Sequence, residues 1–473
     1  MKILIVSANR EKVPYPVMPL GACYIASALK RSGHDVRFLD LCFLRDPLNA
    51  VKKELLYFEP HAIGISMRNL DNCDYAAPVS FLPEVEALIR LCRSTSQAPI
   101  ILGGSAVGVM PEAICRRLKP DYVVVGNGET NIVSWAQQLE QGNDPSLIEG
   151  IGSIQKGEWQ LRASKTPPLF EQNLSPRIFD WVDMNAYFKY ESFYPIQTKR
   201  GCALKCIYCT YKNIEGTGYQ FKTPGEVADE IEEVLMHHPK ARFEFVDSTF
   251  NSPVSHALRL LASFKERQLK ARFVGSGINP ISAPPELFSS MKEAGFESLI
   301  CTAENASETV LANLKKGFTR KHLQKVAASI RAERLQTLWI FLLGGPGETK
   351  ETVMETLDFI HNEIGENDVA YITSGLRIYP NTELAQIALK ENVIASEEEL
   401  LEPRFYFSKQ LDPHWLLQTL KNEAQADPRI LRSVDAERPW VATLSRLIHF
   451  FGNKKPMWTY TPLLNRMLKW SHA

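Results

Sequence analysis

The chain has 473 residues, enough for two or three domains of ordinary size. Its 54 basic and 54 acidic side chains cancel, so no global charge favours nucleic acid or an anionic surface. A hydrophobic content of 45% suits a globular protein, no apolar run approaches a membrane span, and nine cysteines without framework spacing fit a reducing cytoplasm. The opening MKILIVSANR is too short and strand-like for a secretion signal, which agrees with a cytoplasmic location.

Residues 1–150 alternate strand and helix signals. Lys2 to Val6 reads as a buried strand, and a helix follows from about Gly21 to Ser32, ended by Gly33. Val36–Leu41, Ala62–Ser66, Ile100–Leu102 and Tyr122–Val125 are four more strands. Short apolar strands separated by helices predict a parallel sheet covered on both faces, with ligands bound beyond the carboxyl ends of the strands. The loop after the first strand lacks the G-x-G-x-x-G dinucleotide fingerprint and carries Pro14, Pro16 and Pro19 instead. Glycines cluster at later strand ends: Gly103-Gly104, then Gly126-Asn127-Gly128-Glu129.

Residues 151–194 hold Pro167, Pro168 and Pro176 and many aromatics, among them Phe170, Phe179, Trp181, Tyr187, Phe188, Tyr190 and Phe193. They read as a linker packed between domains. From Pro195 to about residue 395 the alternation resumes, with strands at Ile196–Lys199, Phe243–Val246, Arg272–Ser276, Ser298–Thr302, Thr337–Leu342 and Ala370–Arg377. Six βα units imply a partial barrel with its site at the carboxyl ends of the strands. The first of these units runs into Cys202, Cys206 and Cys209, spaced C-x3-C-x2-C. Structural zinc needs four closed ligands, and no fourth Cys or His lies near this triple in sequence. Three thiolates on one short loop can instead each hold one iron of a [4Fe–4S] cube.

With Thr198, Arg200, Gly201 and Tyr208 around it, the triple resembles the cluster loop of radical S-adenosylmethionine (radical SAM) enzymes. Four later elements keep that family's order: Phe245–Phe250, Ala303-Glu304-Asn305 with Lys315-Lys316-Gly317, Gly344–Thr349, and Tyr379-Pro380-Asn381-Thr382. The resemblance implies that Cys202, Cys206 and Cys209 hold the cluster. It implies S-adenosylmethionine contacts from Tyr208, Asp247, Ser248, Thr249, Glu304 and the Gly344-Gly345 turn. Asn305 and Asn381 replace the family's usual Ser and Gly. The amino-terminal segment resembles the cobalamin-binding domain that precedes many radical SAM modules, on Pro19–Ala26, Gly33–Val36, Leu39-Asp40, Gly64–Ser66, Leu102–Gly104 and Val125–Glu129. This second likeness points to Pro19, Gly21, Ser66, Gly103, Gly104, Gly126, Gly128 and Glu129 as cobalamin contacts. No D-x-H-x-x-G motif supplies a cobalt-ligating histidine; Arg68 would lie near the lower face, although a solvated loop arginine is the plainer reading. A Rossmann-like domain with another ligand is the alternative for the whole segment.

The resulting expectation is an α/β protein: a Rossmann-like cobalamin-binding domain over residues 1–150, a linker over 151–194, a partial (β/α)6 radical SAM barrel over 195–395 and a mainly helical extension over 396–473. Its cofactors would be a [4Fe–4S] cluster, S-adenosylmethionine and cobalamin. The resemblance implies reductive cleavage of S-adenosylmethionine to a 5′-deoxyadenosyl radical and methyl transfer to an unactivated carbon. A cyclase or rearrangement enzyme of the same superfamily is the second reading, and a non-catalytic cobalamin- or cluster-carrying module the third. Implied partners are an organic substrate and an electron donor such as flavodoxin or ferredoxin, without nucleic acid. Residues 441–473 carry Arg446, Lys454, Lys455, Arg466 and Lys469 and no acid, with Trp458, Tyr460 and Trp470 between them. A helical cap on the barrel is preferred there over a membrane-surface helix.

Overall fold

Two runs of short apolar segments become two parallel sheets in the computed structural model, which describes residues 1–126, 128–162, 174–436 and 456–470. The first sheet contains β1 (Lys2–Ser7), β2 (Asp35–Asp40), β3 (Ala62–Ser66), β4 (Ile100–Gly103), β5 (Tyr122–Val124), β6 (Ile151–Gln155) and β7 (Glu158–Leu161), in the order β2-β1-β3-β4-β5-β6-β7. The first five strands are parallel, and the order reverses between β1 and β3. β6 and β7 add an antiparallel hairpin at the edge. The segment beginning at residue 151 therefore does not start as a linker: it completes the first sheet. Its alternation of exposed and half-buried residues over Glu158–Leu161 is the pattern of an edge strand.

Beyond that hairpin, the described part of 174–194 packs between the domains. Trp181 donates Nε1–H to Ser27 Oγ at 2.9 Å, and Tyr187 donates its hydroxyl to Asp40 at 2.7 Å. Phe43 stacks on Tyr190 and meets the edge of Tyr187. Phe170 lies outside the described residues.

The second sheet follows. After β8 (Tyr194–Ile196), the two-residue strands β9 (Lys199–Arg200) and β10 (Gln220–Phe221) pair with each other beside the cysteine loop. The sheet continues through β11 (Arg242–Phe245), β12 (Arg272–Ile278), β13 (Phe296–Glu304), β14 (Gln336–Leu343) and β15 (Val369–Ser374). A small ladder, β16 (Leu376–Arg377) with β17 (Phe405–Tyr406), lies after it, and β18 (Ile430–Arg432) closes the set. The order is β18-β15-β14-β13-β12-β11-β8 with every pairing parallel. The six expected strands are present, and a seventh comes from the carboxyl-terminal extension. Three residues, Ile430 to Arg432, are too short to show a strand period in sequence.

The barrel's outer face holds the main core. Phe243, Phe245, Phe273, Trp339 and Phe341 are fully buried against the surrounding helices. The rest of the extension is mainly helical, with helices Pro413–Ala426 and Thr461–Trp470. The turn before the last helix meets the amino-terminal ends of the strands: Gln336 donates to Thr459 O at 2.8 Å, and the Met457 N–H donates to Glu191 at 2.8 Å. Trp458 and Tyr460 are half-buried there, as a cap requires. Arg446, Lys454 and Lys455 lie outside the described residues, as do the side chains of Lys469 and Trp470. Among the described residues no helix is long and apolar enough to cross a membrane.

Candidate functional site: a glycine cleft and a cysteine loop

The first site is made of missing side chains. At the carboxyl ends of β1, β3, β4 and β5 lies a cleft with about 1160 Å³ of open volume. Seven of the residues expected to contact cobalamin line it: Gly21, Ser66, Gly103, Gly104, Gly126, Gly128 and Glu129. Its floor is the place where the strand order reverses, which is where open α/β sheets bind ligands. Gly104 is required by geometry. Its φ is +105°, and a Cβ there would stand 2.3 Å from Met67 O. Gly21 differs: a Cβ added to it meets nothing within 4 Å, so the space beside it is empty cleft. These features fit a bulky group laid against backbone. Pro19 and Arg68 are not part of the cleft lining. Pro19 immediately precedes the helix Leu20–Arg31 and serves as its amino-terminal boundary. Asn127 lies outside the described residues.

The far wall of the cleft belongs to the barrel: Gln197, Arg200, Ile214 and Glu215, the residues flanking the cysteine loop. Arg200 pairs bidentately with Glu129, and both are nearly buried. Lys222 donates to Tyr24 Oη at 2.8 Å and to Glu230 at 2.7 Å. These buried pairs fix the two domains to each other around the cleft.

The second site is made of buried charge. Cys202 and Cys206 are buried and Cys209 is half-buried. Burial pushes the Cys206 thiol up and Cys209 to about 11; the neighbouring Cys202 adds to both shifts, and Cys206 adds to that of Cys209. Among the described residues, no three His, Cys, Asp or Glu groups sit close enough to share one metal ion. The loop thus does not fit mononuclear zinc. Three thiols on one loop fit a cluster, where each thiolate takes a different iron. Burial favours the protonated forms of Cys206 and Cys209, so cluster loading must displace their protons.

Lys316 ties this loop to Glu304. Its buried ammonium donates to Glu304 Oε1 at 3.2 Å, to Tyr208 Oη at 3.1 Å and to Cys206 Sγ at 3.5 Å. Burial alone would lower the Lys316 pKa, but Glu304 and Cys206 hold it above the ordinary lysine value. Glu304 takes a left-handed φ of +62°, uncommon for a residue with a Cβ and characteristic of functional sites. Its second oxygen, Oε2, is buried with no hydrogen-bond partner. An orphaned carboxylate oxygen beside the cysteine loop fits a ligand that brings its own donor, as the amino or ribose groups of S-adenosylmethionine would. Lys316 stands in the Lys315-Lys316-Gly317 run, where nothing in the local sequence marks it as the cation of this site.

Asp247, expected to face S-adenosylmethionine, is spent within the protein. It accepts from the backbone N–H groups of Thr198 and Lys199 at 2.7 and 3.0 Å, from Thr198 Oγ1 at 2.6 Å and from Lys199 Nζ at 3.2 Å. Both side chains of the Lys199–Asp247 pair are fully buried. Asp247 holds the strand that enters the cysteine loop. Ser248 donates to Gly201 O at 3.0 Å, and Thr249 Oγ1 lies 4.0 Å from Cys202 Sγ. The Gly344 and Gly345 N–H groups donate to Glu348, the latter at 2.9 Å. Asn305, the replacement for the family Ser, donates to Glu348 at 2.8 Å. Desolvation raises the Glu348 carboxyl to about 7 even with these three donors.

Fold and site define the class: a radical SAM domain attached to a second domain with a ligand cleft. The radical SAM superfamily matches residues 196–360, and the B12 binding domain matches residues 6–134. The chain thus carries both a B12-binding domain and, after it, a radical SAM domain. An uncharacterized methyltransferase of Pyrococcus horikoshii is 25% identical over 406 residues, covering 83% of this chain and 84% of that protein. The tryptophan 2-C-methyltransferase of Streptomyces laurentii is 23% identical over 441 residues, covering 80% and 73%. Among solved structures, the radical SAM methyltransferase TsrM from Kitasatospora setae, with cobalamin and a [4Fe–4S] cluster bound, superposes with a TM-score of 0.85 at 22% identity and covers 99% of both chains. The cobalamin-dependent radical enzyme OxsB superposes with a TM-score of 0.75 at 15% identity, covering 98% of this chain and 71% of that one. These two show the shared fold.

Proposed function

We propose that this protein is a cobalamin-dependent radical SAM methyltransferase acting on a carbon of an organic substrate. One observation carries the reading: the glycine cleft and the cysteine loop share a wall, through Gln197, Arg200 and Glu215. Cobalamin in the cleft and a cluster on Cys202, Cys206 and Cys209 would then face one cavity, as passing a methyl group between them and a substrate demands. Bound there, the cluster would supply an electron to S-adenosylmethionine and the cobalamin would carry the methyl group.

The chain's own residues do the positioning. Ser66, Gly103, Gly104, Gly126 and Gly128 would receive cobalamin against backbone, and Gly21 leaves it room. Glu304 Oε2 would accept from S-adenosylmethionine, while Lys316 neutralises the carboxylate and Tyr208 lies over the ammonium. Asp247 and Ser248 hold the loop in place, and the Glu348 network holds the turn Gly344-Gly345. An electron donor of the flavodoxin or ferredoxin kind would complete the system.

Anaerobic purification with cobalamin, followed by iron, sulfide and cobalt analysis, tests the cofactors. About four irons and one cobalt per chain are expected. Methyl-labelled S-adenosylmethionine and a candidate substrate should then give a product about 14 Da heavier that carries the label. A product without mass gain would replace the methyltransferase by a cyclase or rearrangement enzyme. Iron and cobalt without any S-adenosylmethionine consumption would leave only a carrier module.

A further inference from the structure

We propose that Glu244, on the inner face of the barrel that encloses the substrate chamber, anchors there a nitrogen group that donates a hydrogen bond: an N–H or ammonium carried on an apolar body. The inference rests on the methyltransferase reading and adds the substrate class.

The lumen is visible in the alternation of exposure along the barrel strands. Over β14, residues 336, 338, 340 and 342 are each partly accessible while 337, 339, 341 and 343 are buried. The buried set includes Trp339 and Phe341, whose rings meet Phe359 of an outer helix, so the accessible set faces inward. β15 repeats the pattern, with Tyr371 and Thr373 accessible between buried neighbours. An inner face in which alternate residues keep accessible surface surrounds space rather than a packed core. Its wall is mostly apolar or weakly polar, as at Ile300, Thr302, Ile340, Leu342 and Tyr371. That composition suits an apolar body.

Glu244 brings a carboxylate into this wall. Glu244 alternates with the buried Phe243 and Phe245 and so points inward. None of the roles argued above uses it. Ser276 donates to Glu244 Oε1 at 2.5 Å, and Tyr15 reaches across from the amino-terminal domain, its hydroxyl 3.0 Å from Oε1 and 2.9 Å from Oε2. Tyr15 has one proton for two oxygens, so the carboxylate keeps acceptor capacity on Oε2. Burial raises the Glu244 pKa, while Ser276, Tyr15 and the nearby Arg68 oppose the shift. A carboxylate held by two hydroxyl donors on an otherwise mostly apolar inner face selects a ligand that brings a further donor. Tyr15, from the other domain, covers the same carboxylate, so the chamber is bounded by both domains.

The test uses two probes with the same apolar body and opposite heads, 2-phenylethylamine and 3-phenylpropionate. Each is titrated calorimetrically into the cofactor-loaded full chain. The amine is expected to bind at least about tenfold more tightly, the scale of one charge-assisted hydrogen bond. Glu244→Gln should erase that preference, and Tyr15→Phe, which leaves the carboxylate in place, should retain it. Equal binding of the two probes, a preference for the carboxylate, or an unchanged preference in Glu244→Gln overturns the proposal. The wild-type comparison stands by itself should either variant fold poorly. Iron and cobalt content and S-adenosylmethionine consumption, measured on the same preparation, separate this outcome from failure of the methyltransferase reading: full cofactor loading and turnover without amine preference refute the anchor alone.

Discussion

The two halves of the site are built in opposite ways. The glycine cleft is defined by what its residues lack: Gly21, Gly103, Gly104, Gly126 and Gly128 present backbone and space. The barrel site is defined by buried charge: Lys316, Glu304, Asp247, Lys199 and Glu348 carry it within a shell of hydrogen bonds. The difference teaches how each half should fail. A cleft fails when it is filled, without cost to the fold. A buried ionic network fails when one member is removed, because the partner left behind is an unpaired polar group in a dry place.

The sharpest separation comes from Cys202→Ala. Cluster iron should fall to background while cobalt occupancy stays, as metal analysis would show; loss of both would mean that the halves do not load independently. Gly21→Phe is the converse. Nothing stands within 4 Å of the added Cβ, and leaving glycine near a helix start gains up to about 1 kcal/mol of stability. The variant should lose cobalamin at unchanged or raised Tm and keep its iron.

Arg200→Met attacks the joint between the halves. It strands Glu129, and urea denaturation should show a loss of about 3 kcal/mol. Lys316→Met removes the cation shared by Glu304, Tyr208 and Cys206. S-adenosylmethionine affinity should drop about tenfold by equilibrium binding, the scale of one charged hydrogen bond, with the cluster still assembled. The smallest effect concerns Glu348, raised by burial from its ordinary 4.5 to about 7. The folded chain then holds this proton more tightly than the unfolded chain. Stability from it is full below about 4.5 and declines as the pH rises to about 7. Glu348→Gln should flatten the slope of Tm over that window, and a slope equal to wild type would show that the carboxylate is not the titrating group.

Sequence patterns locate the backbone features better than the side-chain ones. Gly103-Gly104 and the C-x3-C-x2-C spacing are local, and a local constraint leaves a mark in consecutive residues. Both parallel sheets are legible for the same reason, since each strand is an apolar run between turn signals. What escapes is pairing at long range. Asp247 reads as a ligand contact because it stands at a strand end; only the folded chain shows that Thr198 and Lys199, about fifty positions away, consume its acceptors. The hairpin Ile151–Leu161 and the strand Ile430–Arg432 are likewise assigned by the edges they pair with, not by their own short sequences.

By itself, then, the sequence determines the class of chemistry: three thiols on one loop, glycines at the ends of parallel strands, and the order of the barrel motifs. These are properties of neighbouring residues, and spacing along the chain suffices to define them. The tertiary structure alone decides how that chemistry is held. It brings Arg200 to Glu129, Lys316 to Glu304 and Cys206, and Tyr15 to Glu244. A buried charge is tolerable only where a partner meets it, and which partner does so is fixed by packing between elements far apart in sequence.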